Sequence, residues 1–292
     1  MFDQILQFVL TGVTVGATYA LVALGFAIIY NASDVVNFAQ GEFVMMGAMS
    51  AIAMSAGDGL PIFLSLPLAV LVTIGVGILL QKFAIAPARG ASVVTTIIIT
   101  IGASIFLRGV ALLLWGKSIF AMPHFSGEQP IHIGKATLLP QSLWVMGGAA
   151  FLVLGVHWFF NHTTHGKAIL ACSCNRTAAK LVGINVGMMM LIAYGLSAFL
   201  GAMAGILVTP ITFTSYDAGV MLGLKGFSAA ILGGFGNPMG AVAGGILLGL
   251  IESLAAGLIS SGYKDAIGFI ILLLVLFFRP SGLFGKATSE RV

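Results

Sequence analysis

Residues 93–115 read VVTTIIITIGASIFLRGVALLLW, a stretch with one ionisable side chain, Arg108. Such a helix rises ~35 Å at 1.5 Å per residue. About 20 apolar residues suffice to cross the hydrocarbon core of a bilayer, so the stretch predicts a membrane span. Eight more runs of the same kind flank it: 5–30, 42–57, 61–82, 142–161, 187–209, 218–236, 239–260 and 263–279. The last-but-two and last-but-one are joined by Gly236-Asn237-Pro238, a turn with little room, so one of them is expected to be a partial span. The expected fold is all-α, a polytopic transmembrane bundle of eight to nine spans.

Composition supports this reading across all 292 residues, which are 59% apolar and 8% charged, with mean hydropathy +1.10. An ordinary soluble chain of this size carries roughly 70 charged residues, and 13 basic plus 9 acidic residues cannot cover a water-exposed surface. Disorder needs low hydrophobicity and high charge, and is excluded on both counts. The chain is expected to be one transmembrane domain over 1–292, with 162–186 as a cytoplasmic loop. The first apolar run carries Asp3 and no basic flank, so it reads as a retained span rather than a cleaved signal.

The net charge of +4 does not indicate nucleic acid, because the basic residues lie in short loops between apolar runs. With nine spans, Lys82, Arg89, Lys167, Arg176, Lys180, Arg279, Lys286 and Arg291 fall on one side, and Lys117, Lys135 and Lys264 on the other. The positive-inside rule then places the larger set in the cytoplasm, the N-terminus outside and the C-terminus inside. Loop 31–41 fits poorly: it should be cytoplasmic, yet it holds Asp34 and no basic residue.

Glycine supplies 39 residues, about twice the usual share. Many recur at small-residue spacing: Gly12/Gly16, Gly201/Gly205, Gly236/Gly240 and Gly245/Gly249. Small residues let helix backbones approach closely in lipid, which predicts dense packing, with a dimer seam as the alternative. Ionisable groups inside spans are functional candidates. Glu42 is expected near the inner interface, Arg108 snorkelling outward, Lys225 at the outer side, and Glu252 within the 239–260 run.

Apparatus for catalysis is missing from the sequence. The nearest approach to a phosphate-binding Walker A loop, Gly116-Lys117-Ser118, has Ala111 where the first glycine belongs. Neither G-x-S-x-G nor H-E-x-x-H occurs. His162, His165, Cys172 and Cys174 share a loop, but C-x-C is tighter than the usual zinc-ligand spacing. No metal or other cofactor is expected.

The most specific segment is 161–186, NHTTHGKAILACSCNRTAAKLVGINV. Ile169, Leu170, Leu181 and Val182 alternate with Lys167, Arg176 and Lys180. A short surface helix capped by Asn175 and ended by Gly183 follows from that pattern. It suits either a soluble partner or an anionic lipid surface.

These residues carry a resemblance. Gly166-Lys167-Ala168, Asn175-Arg176, Ala178-Ala179 and Gly183-Ile184-Asn185 resemble the coupling loop of ABC importer permeases of the branched-chain amino acid type. Residues 35–43 (VVNFAQGEF), 233–241 (GGFGNPMGA) and 279–285 (RPSGLFG) are similar to the same family. The resemblance implies an inner-membrane permease paired with a second, homologous permease, two ATP-binding cassette ATPase subunits and a periplasmic substrate-binding protein. The ATPases would hydrolyse ATP while this chain, itself no enzyme, passes the amino acid. Related permeases carry other amino acids, short amides or urea. Asn37, Gln40, Glu42, Thr95, Thr96 and Thr100 are candidates to line the path. A stand-alone ion-coupled transporter or channel for small polar solutes is the rival reading.

Overall fold

The computed structural model describes residues 2–57, 59–88 and 90–285. Arg89, Lys286 and Arg291, three of the basic residues used above for sidedness, lie outside them. Every apolar run of the sequence is helical: α1 (Phe2–Ser33), α2 (Gln40–Ile52), α3 (Ile62–Leu80), α4 (Val93–Trp115) and α5 (Pro140–His162) come first. After them come two short helices, α6 (Thr164–Cys174) and α7 (Arg176–Leu181). The chain closes with α8 (Val186–Thr212), α9 (Ala218–Gly233), α10 (Pro238–Leu258) and α11 (Lys264–Phe278). Among the described residues seven helices are long and apolar enough to cross a membrane, α11 being counted with the 3-10 turn Ser261–Tyr263 that leads into it. The two runs that fall short are α2 and α9, of 13 and 16 residues. The partial element of the late pair is therefore 218–233, and 238–258 is the full crossing.

Consecutive helices gather their ends at two poles. One pole holds α6, α7 and the basic residues Lys82, Lys167, Arg176, Lys180 and Arg279. The other holds Lys117, Lys135 and a hairpin of β1 (Ile131–Ile133) and β2 (Ala136–Leu138). The hairpin is tied to α1, because the Gln7 amide donates to Thr137 O and accepts from Thr137 N at 3.0 and 2.7 Å.

The central helix is α1, which packs against α5, α8, α9 and α10. Its seam with α10 is made of glycine backbones. A Cβ on Gly16 would lie 2.8 Å from Ile246 Cα, and one on Gly249 would lie 2.3 Å from Gly16 Cα. The Gly12/Gly16 and Gly245/Gly249 pairs read from the sequence thus face one another within a single chain. Close approach of this kind replaces the hydrophobic force that lipid cannot supply. Gly201 and Gly205 do the same on α8, where they accept Phe43 and Val44 of α2.

Loop 31–41 departs from expectation. α1 runs to Ser33, Asp34 turns the chain at φ +53°, and the following residues fold back between the helices instead of lying on a surface. Asn37 and Gln40 are fully buried. An inserted segment has no reason to carry lysine or arginine, which explains its poor fit to the charge rule.

The two late family motifs meet at the α6–α7 pole. Leu283 N donates to Leu232 O at 2.9 Å, Phe284 N to Gly233 O at 3.0 Å, and the Asn237 amide to Phe284 O at 3.1 Å. The tail through residue 285 thereby closes the end of α9. Gly282 and Gly234 take positive φ there (+78° and +105°) in contact too close for any Cβ.

An ionic cluster ties the helices α1, α9, α10 and α11 together inside the bundle. Lys225 of α9 donates to Glu252 of α10 at 2.8 Å and to Asp265 of α11 at 2.6 Å. The Tyr19 hydroxyl of α1 donates to the same Glu252 oxygen at 2.8 Å. Lys225 is therefore a four-helix tie, with a side chain only 9% exposed.

Candidate functional site

The returning segment delivers α2 to the middle of the bundle. Ser33 Oγ donates to Ile29 O at 2.8 Å and accepts from Val35 N at 3.2 Å, which ends α1 and starts the return. Phe38 N donates to Thr100 Oγ1 of α4 at 3.2 Å. Gln40 is held by Ser197 of α8, with its amide donating to Ser197 O at 3.2 Å and its Oε1 accepting the Ser197 hydroxyl at 2.5 Å. The α2 N-terminus thus sits beside the N-terminal part of α9, where Gly41 meets Gly219 and Gly223 backbone to backbone.

Glu42 is consequently deep. Its Oε1 accepts from Ser104 at 2.8 Å and lies 3.3 Å from Arg108 Nε. Ser104 is midway along α4, a helix that spans, so Glu42 stands at mid-depth and not near an interface. Arg108 turns inward to it and does not snorkel. Both corrections have the same cause: leaving a carboxylate and a guanidinium unpaired among apolar helices is expensive. Beside them is a cavity of about 150 Å³ walled by Phe26, Phe38, Ile101, Leu224 and Phe227. Glu42 Oε2 and Asn37 Nδ2 are buried without a hydrogen-bond partner.

Of the residues expected to line a path, Asn37, Gln40, Glu42 and Thr100 come together at this turn. Thr95 and Thr96 do not. Thr95 is exposed and bonded to Ser92, its hydroxyl 2.9 Å from Ser92 Oγ. Thr96 donates to Ser92 O at 3.2 Å and faces a separate cavity of about 440 Å³ beside Asp34 and Arg176. Ser104, Ser197 and Tyr19 were missed, since hydroxyls scattered along apolar runs give no signal of their partners.

The α6–α7 pair occupies the segment expected to hold one surface helix. Thr163 caps α6 by accepting from Gly166 N at 3.0 Å, and Asn175 caps α7 by accepting from Ala178 N at 2.9 Å. Gly183, at φ +87°, ends α7. Gly166 is required by contact, because a Cβ there would lie 2.3 Å from Phe159 O. Ile169, Cys172 and Ala179 are buried, Ala168 is partly so, and Lys167, Ala178 and Lys180 are exposed. Arg176 points into the bundle, bonding Ala32 O at 3.2 Å and Asp34 Oδ2 at 3.0 Å. Its guanidinium therefore caps the C-terminal end of α1, where a cation is favoured. The outer edge of α7 is apolar and bare, with Leu181 84% and Val182 76% exposed.

The two cysteines face opposite ways. Cys172 is buried and Cys174 exposed. Burial pushes the Cys172 thiol above its ordinary range, with nearby Arg176 opposing in part. Thiolate is the reactive form. A bulky, charged maleimide is thus expected to modify Cys174 of the detergent-solubilised chain and to spare Cys172 until the protein is unfolded. Peptide mapping of the labelled chain checks this, and equal labelling of both in the folded protein would contradict it.

The chain is thus a polytopic helical bundle with an ion pair and a small cavity at mid-depth, an arrangement in keeping with a membrane permease. The family model described as the branched-chain amino acid transport system / permease component matches residues 8–276, and the chain belongs to that family. It is 32% identical to the high-affinity branched-chain amino acid transport system permease protein LivH of Escherichia coli, covering 100% of this chain and 99% of LivH. It is likewise 32% identical to the corresponding protein BraD of Pseudomonas aeruginosa, covering 98% of each. The ribose import permease protein RbsC of Haemophilus influenzae is 26% identical over 88% of this chain and 79% of its own length.

Proposed function

We propose that this chain is a permease subunit of an ATP-driven importer of branched-chain amino acids, set in a bacterial inner membrane. The substrate class follows LivH and BraD, which match 98–100% of this chain at 32% identity, against 88% at 26% for the ribose permease. A second homologous permease, two ATP-binding cassette ATPases and a periplasmic binding protein complete the assembly. ATP is hydrolysed on the ATPases. The chain forms one transmembrane domain, with the N-terminus periplasmic and the α6–α7 pole in the cytoplasm. Residues 162–186, with Gly166, Lys167, Ala168, Asn175, Arg176, Ala178, Ala179 and Gly183, act as the coupling element.

One observation carries this reading: a capped pair of short helices shows bare leucine and valine on its outer edge, while its inner side is bonded to the end of α1. A soluble partner docks on the first, and its movement reaches the bundle through the second. Nucleotide then biases a two-state rocking of the helices.

The test is Leu181→Glu with Val182→Glu. Both side chains are exposed, so the bundle itself keeps its melting temperature. Placing two carboxylates in an apolar docking edge is expected to cost the ATPase complex at least about tenfold in affinity, read by co-purification. ATP-dependent uptake into proteoliposomes falls with it. Unchanged co-purification and uptake would remove the docking role. Concentrative uptake by the chain alone, driven by an ion gradient, would replace the importer reading altogether.

A further inference from the structure

We propose that the cavity beside the Glu42–Arg108 pair is a transit site for a free α-amino acid, reading the zwitterion itself: its ammonium on Glu42 and its carboxylate on Arg108. The inference rests on the importer reading and adds a binding site to it.

The first support is unfinished hydrogen bonding. Glu42 is 1% exposed, yet only its Oε1 is engaged, by Ser104 at 2.8 Å and by Arg108 at 3.3 Å. Oε2 has no partner, and Arg108 Nε, though near Oε1, lacks hydrogen-bond geometry. A charge pair inside a bundle is normally completed by further bonds, because each unfilled polar valence there costs free energy. Glu42, Ser104 and Arg108 are all among the residues that line a cavity. An ammonium has three donors for a carboxylate oxygen, and a carboxylate has the acceptors a guanidinium needs. The two protein groups stand side by side, and an α-amino acid carries both of its charges on one carbon, so one small ligand meets both.

The second support is the shape of the cavity. Its volume of about 150 Å³ is about half of the ~300 Å³ at which pockets for drug-sized ligands start. A single amino acid is of that scale, and a peptide is not. The remaining wall is aromatic and aliphatic (Phe26, Phe38, Ile101, Leu224 and Phe227), which suits a branched hydrocarbon side chain. Gly223, with no Cβ, lets α9 lie against Gly41 and leaves the space beside Glu42 open.

A purely structural ion pair makes the opposite prediction on mutation. Such a pair is replaced at little cost by uncharged residues of similar size, whereas removing one partner is harmful. The complete complex is therefore compared in proteoliposomes as wild type, Glu42→Gln, Arg108→Met and the double variant. Each single change is expected to lower ATP-dependent leucine uptake about tenfold or more, as the loss of a charge-assisted hydrogen bond does. The double variant is expected to remain as low as either single one. Recovery of the double variant to within about twofold of wild type would make the pair structural and overturn the site.

A second measurement does not depend on how those variants fold. Val220 lines the cavity and is partly exposed. Val220→Cys, in a complex whose Cys172 and Cys174 are serine, is labelled with N-ethylmaleimide. L-Leucine is expected to slow the labelling, while 4-methylpentanoate (no ammonium) and 3-methylbutylamine (no carboxylate) leave it unchanged. No slowing by leucine, or equal slowing by all three, overturns the proposal. If the wild-type complex shows no ATP-dependent uptake, the importer reading fails instead, which is a distinct result.

Discussion

Replacing Lys225 by methionine is expected to destabilise the protein by about 3–5 kcal/mol, the usual result of breaking a buried ion pair from one side. Lys225 neutralises Glu252 and Asp265 together, and the Glu252 side chain is only 7% exposed. Its removal leaves a buried carboxylate with Tyr19 as its one remaining donor among the described residues. It also frees α11, which has few buried residues and is joined to α9 by this bond. A large fall in melting temperature in detergent is the measurement. The triple variant Lys225→Met, Glu252→Gln, Asp265→Asn is expected to regain most of the loss, because no uncompensated charge is left in it. A Lys225→Met protein that melts like wild type would show that the cluster is well hydrated and carries little energy.

The second large effect is expected at the α1–α10 seam. Leucine at position 249 would have its Cβ 2.3 Å from the Gly16 backbone, where no rotamer change gives relief. The two helices must separate along much of their length. The cost exceeds the about 1–3 kcal/mol of ordinary overpacking, and Gly249→Leu is expected not to accumulate as a monodisperse protein on size-exclusion chromatography. Gly249→Ala should be milder but clearly destabilised. Gly75→Ala is the control, since a Cβ there meets nothing within 4 Å, and it should behave as wild type. Normal yield of Gly249→Leu would mean that the helices are not in backbone contact.

The contrast between these sites shows what the sequence makes legible. Helices in lipid declare themselves by long apolar runs, and all nine runs became helices. The capping residues Asn175 and Gly183 act over three or four positions, so they too could be read directly. The glycine pairs announced close packing, although which pairs would face each other was hidden. What escaped was everything set by distant partners. Glu42 meets Ser104 across 62 residues, and Tyr19 meets Glu252 across 233, and no local pattern encodes such pairings. Segment 31–41 was misread for a related reason. Asn31, Ser33, Asn37 and Gln40 have the composition of a solvated loop, and only neighbouring helices with matching donors and acceptors make their burial affordable. The absence of basic residues in that segment was the one available hint.

The grip of Arg176 on the end of α1 has a mechanical consequence. Asp34, which it holds, and Glu42 stand eight positions apart on one continuous piece of backbone. If α7 is the docking element proposed above, its link to that piece is direct, through the Arg176 bonds to Ala32 and Asp34. On the proposed coupling reading, the throw of an outside engine and the charged wall of the cavity share one short cable, the stretch from Asp34 to Glu42.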